Sequence, residues 1–213
     1  MKLAIPENEA EFIPTRKTLL SRLKDRDDAK SWREFFDLYW RLIYSVARKA
    51  GLTETEAQEV VQETLITISK RIRDFKYDPK LGSFKGWLLN TTRWRISDQL
   101  RKRKRDEAIL QHAETATGST AAIERVPDPA HAEMNALWED EWQKNMVHLA
   151  IQNVKQEVKP RQYQIFDLYV VKKWSVSKVA STLSVNAGQI YLAKHRVTSL
   201  IKKEVRNLQR RLV

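Results

Sequence analysis

Asn90, Arg93, Ser97 and Arg101 recur at three- and four-residue steps, which on a helix puts four hydrogen-bonding side chains along one ridge, with Trp94 at its edge. Arginine and asparagine on such a ridge are the residue types that contact phosphates and base edges. An indole beside them offers a π-face on which an unpaired base can stack. Earlier in the chain Glu59, Gln62 and Ile66 project from one side of a helix with Glu63 at the margin. An aliphatic residue exposed among carboxylates and an amide has the composition of a docking patch. A third set lies near the C-terminus: Gly188, Tyr191, Leu192, His195, Arg196 and Ser199 turn outward if Ile190, Ala193 and Val197 turn inward, with Gln189 at the margin. Between the first two sets, Phe75 to Ser83 contains Pro79 and Gly82 and reads as a loop, whose Phe75, Tyr77 and Lys80 suit a surface that grips something.

Other chemistries are excluded by what the chain lacks. The absence of Cys removes disulfides, thiolate zinc sites, iron–sulfur clusters and cysteine nucleophiles together. Five glycines (Gly51, Gly82, Gly86, Gly118 and Gly188) are too dispersed for a phosphate cradle. His112, His131, His148 and His195 show no metal-ligand spacing, and no His is paired with a Ser in a recognisable catalytic motif. The expectation is a protein with no enzymatic activity, metal or cofactor. Met1 to Pro14 has no apolar signal core and no apolar run reaches membrane-spanning length, so the expected setting is the cytoplasm, away from any membrane.

The elements that must position these residues are helices, and the expected fold class is all-α. From Ser31, apolar residues at Trp32, Phe35, Phe36, Tyr39, Leu42, Ile43, Val46 and Ala47 define an amphipathic helix. Gly51 suits its C-terminus, and Thr53 with Glu56 forms a capping box for a second helix to about Asp74 that buries Ala57, Val60, Val61, Thr64, Leu65, Ile68 and Ile72. A third starts after Ser83, turns Phe84, Trp87, Leu88 and Thr91 inward, and ends in Arg101-Lys-Arg-Lys-Arg105, a run expected to be solvated or to bind phosphate nonspecifically. Further on, a helix carries Trp138 and Trp142 and continues to Val158, and Arg161 to about Val171 forms another. Ser175–Leu183, the turn Ser184-Val185 and Asn186–Val197 then show helix-turn-helix spacing.

Charge divides the same way. The total is +12; residues 1–105 hold 24 Lys and Arg against 15 Asp and Glu, residues 106–144 hold 2 against 9, and residues 145–213 hold 13 against 3. Two basic lobes make polyanions the leading partner class. The acidic middle, with Thr115–Ala122 and Pro127-Asp-Pro129, is expected to be a flexible linker. The resulting organisation is a tail over 1–15, a domain over 16–105, a linker over 106–137 and a domain over 138–213.

With both lobes in view, the chain resembles a bacterial RNA polymerase sigma factor of the sigma-70 family, extracytoplasmic-function type. Glu59-Val-Val-Gln-Glu-Thr-Leu65 is similar to the Asp-Leu-Val-Gln-Glu-Thr-Phe stretch with which such factors hold the clamp helices of the polymerase's largest subunit. Phe84-Lys-Gly-Trp-Leu and Asp98-Gln-Leu-Arg101 match the Phe-x-x-Trp-Leu and Asp-x-Leu-Arg pattern of the promoter-melting helix. The departures are Trp94 where Asn is usual, Lys178 where Glu is customary, and Tyr191-Leu192-Ala193 in place of a more polar stretch.

The resemblance implies a region 2-like helical bundle and a region 4-like helix-turn-helix domain. It implies that Glu59, Gln62, Glu63 and Ile66 bind core polymerase. Phe75, Tyr77, Lys80, Asn90, Arg93, Trp94, Ser97 and Arg101 would then bind the minus-ten element and assist melting, and Gly188, Gln189, Tyr191, Leu192, His195, Arg196 and Ser199 the minus-thirty-five element. Core RNA polymerase and promoter DNA are the implied partners, joined in some family members by an anti-sigma factor. Passing the acidic linker toward the enzyme's basic RNA exit path, as such factors tend to do, would suit a segment that is itself a polyanion. A stand-alone helix-turn-helix regulator is the alternative; it accounts for residues 161–211 and leaves the Gln62 and Glu63 patch idle.

Overall fold

The structure, a computed structural model, describes residues 16–75, 84–114 and 131–212. Among these residues there are eight α-helices and no strand, the expected all-α class. They are α1 (Arg16–Arg22), α2 (Ala29–Lys49), α3 (Glu54–Arg71), α4 (Phe84–Glu114), α5 (His131–Glu157), α6 (Pro160–Phe166), α7 (Val176–Leu183) and α8 (Ala187–Leu212). They fall into two compact units, divided between Trp138 and Glu139.

In the first unit, α2, α3 and α4 pack together, and their ends are set by local chemistry. Asp28 caps α2, accepting hydrogen bonds from the Ser31 hydroxyl at 2.6 Å and the Ser31 backbone N–H at 3.0 Å. Those two bonds, the hydroxyl's first, hold the Asp28 carboxyl below its ordinary value. Gly51, at φ +90°, makes the left-handed turn that ends α2, with its N–H on the Arg48 carbonyl. Thr53 and Glu56 then close the capping box of α3: the Thr53 N–H donates to Glu56 Oε2 at 2.7 Å, and the Glu56 N–H to Thr53 Oγ1 at 3.3 Å.

The core is formed by Phe35, Tyr39, Leu42, Ile43, Val46 and Ala47 of α2, by Ala57, Val60, Val61, Thr64 and Ile68 of α3 with Ile72 just beyond, and by Phe84, Leu88, Thr92 and Ile96 of α4. Several positions differ from the periodic expectation, Trp32 and Trp87 among them in being only half-buried. Phe36 is exposed, because Phe35 fills the core and its neighbour, about 100° further round the helix, stacks instead on Trp40 at 5.9 Å. Leu65 is half-buried. On α4 the inward line runs through Thr92 rather than Thr91, following the four-residue steps from Phe84.

Helix extends into both ends of the span expected to be a linker, residues 106–137. α4 continues through Glu114, and α5 already starts at His131. Residues 106–114 and 131–137 contain neither Gly nor Pro and are rich in Ala, Leu and Glu, a composition that favours helix propagation. Within the basic run, expected to be solvated or to bind phosphate nonspecifically, Arg103 is instead committed to partners in the protein while the other four residues are exposed. Arg103 forms a bidentate pair with the Glu56 carboxylate, with Nε donating to Oε1 at 2.8 Å, and its Nη atoms donate to the Gly51 carbonyl at 3.2 and 3.3 Å. This guanidinium fastens the middle of α4 to the α2–α3 turn and holds the Glu56 carboxyl at about 2, well below its ordinary 4.5.

In the second unit, α6 begins with Pro160 at its first turn and widens into a π-helical turn over Asp167–Val171. Ser175 caps α7, accepting from the Lys178 N–H. Ser184 ends it in the left-handed region at φ 50°, and Arg161 donates to the Leu183 carbonyl at 2.7 Å. α8 opens with a reciprocal cap in which Asn186 N–H donates to Gln189 Oε1 at 3.0 Å and Gln189 N–H to Asn186 Oδ1 at 2.8 Å. Ile165, Leu168, Val179, Ile190 and Ala193 form one core cluster, and Val154, Val158, Phe166 and Val197 another.

Two expectations follow. Arg103→Ala should lower unfolding free energy by about 1–2 kcal/mol near neutral pH. Because Glu56 titrates at about 2 when folded against 4.5 ordinarily, its stabilisation is complete above 4.5 and lost as pH falls through about 2. The gap between parent and variant in denaturation followed by circular dichroism should therefore close across that window; a gap independent of pH would contradict the pairing. Trp94→Ala, on the open side of α4, should change stability by no more than about 0.5 kcal/mol, whereas Phe84→Ala should cost about 3–5 kcal/mol in the same assay.

Candidate functional site

Burial of Phe84, Leu88, Thr92 and Ile96 rotates the opposite side of α4 outward. Asn90, Trp94 and Arg101 are exposed there, and Arg93 and Ser97 are half-exposed. Trp94 is 65% exposed, an unusual place for a large apolar ring in a helix that has a core to fill. Arg101 is partly held by its own helix, donating to the Ser97 carbonyl at 3.2 Å and to Asp98 Oδ1 at 2.9 Å. The five residues thus share one open surface holding donors, cations and a π-face, with none of the ridge lost to the core.

Phe75 is placed differently. Its ring packs on Trp87 at 4.7 Å and against the edge of Phe84 at 6.0 Å, so it is half-buried and supports the start of α4. Tyr77 and Lys80 lie outside the described residues.

The α3 patch is arranged in two tiers. Gln62 is exposed and Ile66 is 36% exposed, whereas Glu59 and Glu63 are half-exposed and tied to α4. Gln99 Nε2 donates to Glu59 Oε2 at 2.8 Å, and Lys102 approaches the same oxygen at 3.7 Å. Arg95 stands 3.7 Å from Glu63 and donates to Thr67 Oγ1 at 2.6 Å. Between the helices lies a groove of about 530 Å³ where Glu59, Gln62 and Glu63 of α3 face Arg95, Gln99 and Lys102 of α4, with Val60 and Asp98 completing the lining. Arg95, Gln99 and Lys102 were not singled out from sequence; they fall on the flank of α4 between its buried and open lines, and the signal for them is that a cationic flank on one helix faces a carboxylate patch on the next.

On α8, Gly188, Gln189, Tyr191, Leu192, His195, Arg196 and Ser199 are all exposed. Gln189 uses its side-chain oxygen in the cap, accepting from the Asn186 N–H. Tyr191 meets the edge of Tyr169 at 6.0 Å, and Lys194 lies over the Tyr169 ring at 5.6 Å. Lys178, the departure noted in α7, has its ammonium 4.0 Å from the Trp174 ring centroid, so its charge is seated on an indole.

Among the described residues no cluster of three or more His, Asp or Glu could hold a metal ion, and no helix is long and apolar enough to cross a membrane. The described surfaces hold cations and amides on α4 and α8, exposed rings at Trp94 and Tyr191, and a mixed polar and aliphatic patch on α3.

No curated protein matches the chain. Residues 35–106 match the family model of Sigma-70 region 2, a span that runs from α2 into α4 and contains both the α3 patch and the α4 ridge. The chain therefore carries a segment similar to Sigma-70 region 2, which supports a sigma-70 family sigma factor acting in RNA polymerase binding and transcription initiation.

Proposed function

We propose that this chain is a sigma factor of the extracytoplasmic-function type, which binds core RNA polymerase and directs it to promoters with two recognition elements. The observation that carries the reading is the coincidence of the matched span with the α3 patch and the α4 ridge. In this reading Gln62 and Ile66 make first contact with the polymerase, while Glu59 and Glu63, held by Gln99, Lys102 and Arg95, present carboxylates of fixed position. Asn90, Arg93, Ser97 and Arg101 engage the phosphates and bases of the minus-ten element. Trp94 stacks on an unpaired base, and binding the melted strand in preference to duplex shifts the equilibrium toward the open form.

The α7–turn–α8 unit is assigned to the minus-thirty-five element in duplex form, as a helix-turn-helix with α8 in the major groove. Its support is the outward stripe from Gly188 to Ser199 flanked by Lys194 and Arg196. Residues 16–105 and 138–213 act as the two DNA-binding domains, joined by the acidic residues 106–137. Work on polymerase and promoter places the protein in the cytoplasm.

The test is gel filtration of the full chain with bacterial core polymerase. The parent should co-elute. Gln62→Ala combined with Glu63→Ala should weaken that association about tenfold or more, with helix content unchanged by circular dichroism. Equal binding by parent and double variant would remove the docking role, and no co-elution with tight duplex binding by the chain alone would identify a stand-alone regulator.

A further inference from the structure

Leaving apolar side chains in water forgoes the free energy of burying them, and α8 leaves two at the centre of its outward face. Leu192 is 71% exposed and Tyr191 is 52% exposed. Leu192 stands one turn beyond Gly188 and one turn before His195, on the line opposite the buried Ile190, Ala193 and Val197. Gly188 has no side chain, so Leu192 is the first bulky apolar group that a surface approaching the opening turns of α8 would meet.

The surroundings decide what kind of surface that is. Lys194, His195 and Arg196 are exposed around the apolar pair, a combination suited to a polyanion that carries apolar spots. Tyr191 is braced from behind: Tyr169, on the π-helical turn after α6, presents its ring at 83° and 6.0 Å, and Lys194 lies over that same ring. The tyrosine is therefore pre-positioned beside Leu192.

In the major groove the base edges of A, G and C offer only donors and acceptors, and thymine adds the one apolar group, its C5-methyl. Resting on the assignment of α8 to duplex DNA, we infer that Leu192, with Tyr191 beside it, reads thymine by contact with that methyl group. Selection for T in the upstream element then comes from apolar contact, while Arg196 and the neighbouring cations hold phosphates or guanine edges.

Deoxyuridine tests this directly, because it keeps every hydrogen-bonding group of thymine and lacks only the C5-methyl. The full chain, alone and with core polymerase, is used to select duplexes from a random library, and each T of the selected upstream element is then replaced by deoxyuridine. At one or two positions the replacement should weaken binding about fourfold, the worth of one buried methyl group. Leu192→Ala, at an exposed site, should bind the two duplexes equally. Deoxyuridine without effect at every position, a selected element lacking T, or Leu192→Ala that still discriminates would each overturn the inference while leaving the sigma-factor reading intact. Absence of sequence-selective duplex binding, with or without polymerase, would overturn both.

Discussion

Phe84 is fully buried where four other rings meet: Phe35 at 5.9 Å, Tyr39 at 5.7 Å, Phe75 at 6.0 Å and Trp87 at 5.6 Å. It is the first residue of α4, so its insertion, followed at four-residue steps by Leu88, Thr92 and Ile96, fixes the rotation of the whole helix. Everything else α4 presents follows from that rotation. Its flank faces α3 and its remaining side faces outward, with Trp94 at the crest. A helix free to turn by even one residue's 100° would bury part of the ridge and expose part of the core.

The flank divides the basic residues of α4 into two populations. Arg95, Lys102 and Arg103 are engaged with Glu63, Glu59 and Glu56, whereas Arg93 lies on the outward side with Asn90 and Trp94. The engaged cations also prepare a second surface, because they hold Glu59 and Glu63 at the margin of the patch topped by Gln62 and Ile66. One helix thus anchors the core, fixes the side chains of a neighbouring patch and carries a recognition ridge. Arg103 ties its middle to the α2–α3 turn, and beyond Arg105 it continues through Glu114.

Periodicity and end signals made most of this legible. The outward set on α8 follows from the inward trio Ile190, Ala193 and Val197, and the Thr53 and Glu56 box is recognisable from spacing alone. Phe36 and Thr91 mark where periodicity stops being sufficient, since adjacent positions share the edge of an apolar face and packing chooses between Phe35 and Phe36 or between Thr91 and Thr92. Charge counting alone gave no sign of the helix at either end of residues 106–137, because acidity reports on partners and solvation whereas helix propagation answers to propensity. Arg103 was hidden because a contact 47 residues away in sequence leaves no local trace. The packing of Phe75 on Trp87 and Phe84 likewise joins residues that local periodicity does not relate.

On the proposed function the α3 patch docks polymerase, the α4 ridge holds unpaired bases and α8 reads duplex, and transcription is where their joint action would show. The most direct measurement is transcription by bacterial core polymerase from a random promoter library, with and without the full chain. The account predicts transcripts dependent on the chain, from templates that share two elements at constant spacing. Transcripts unchanged by the chain, or dependent on one element alone, would contradict it.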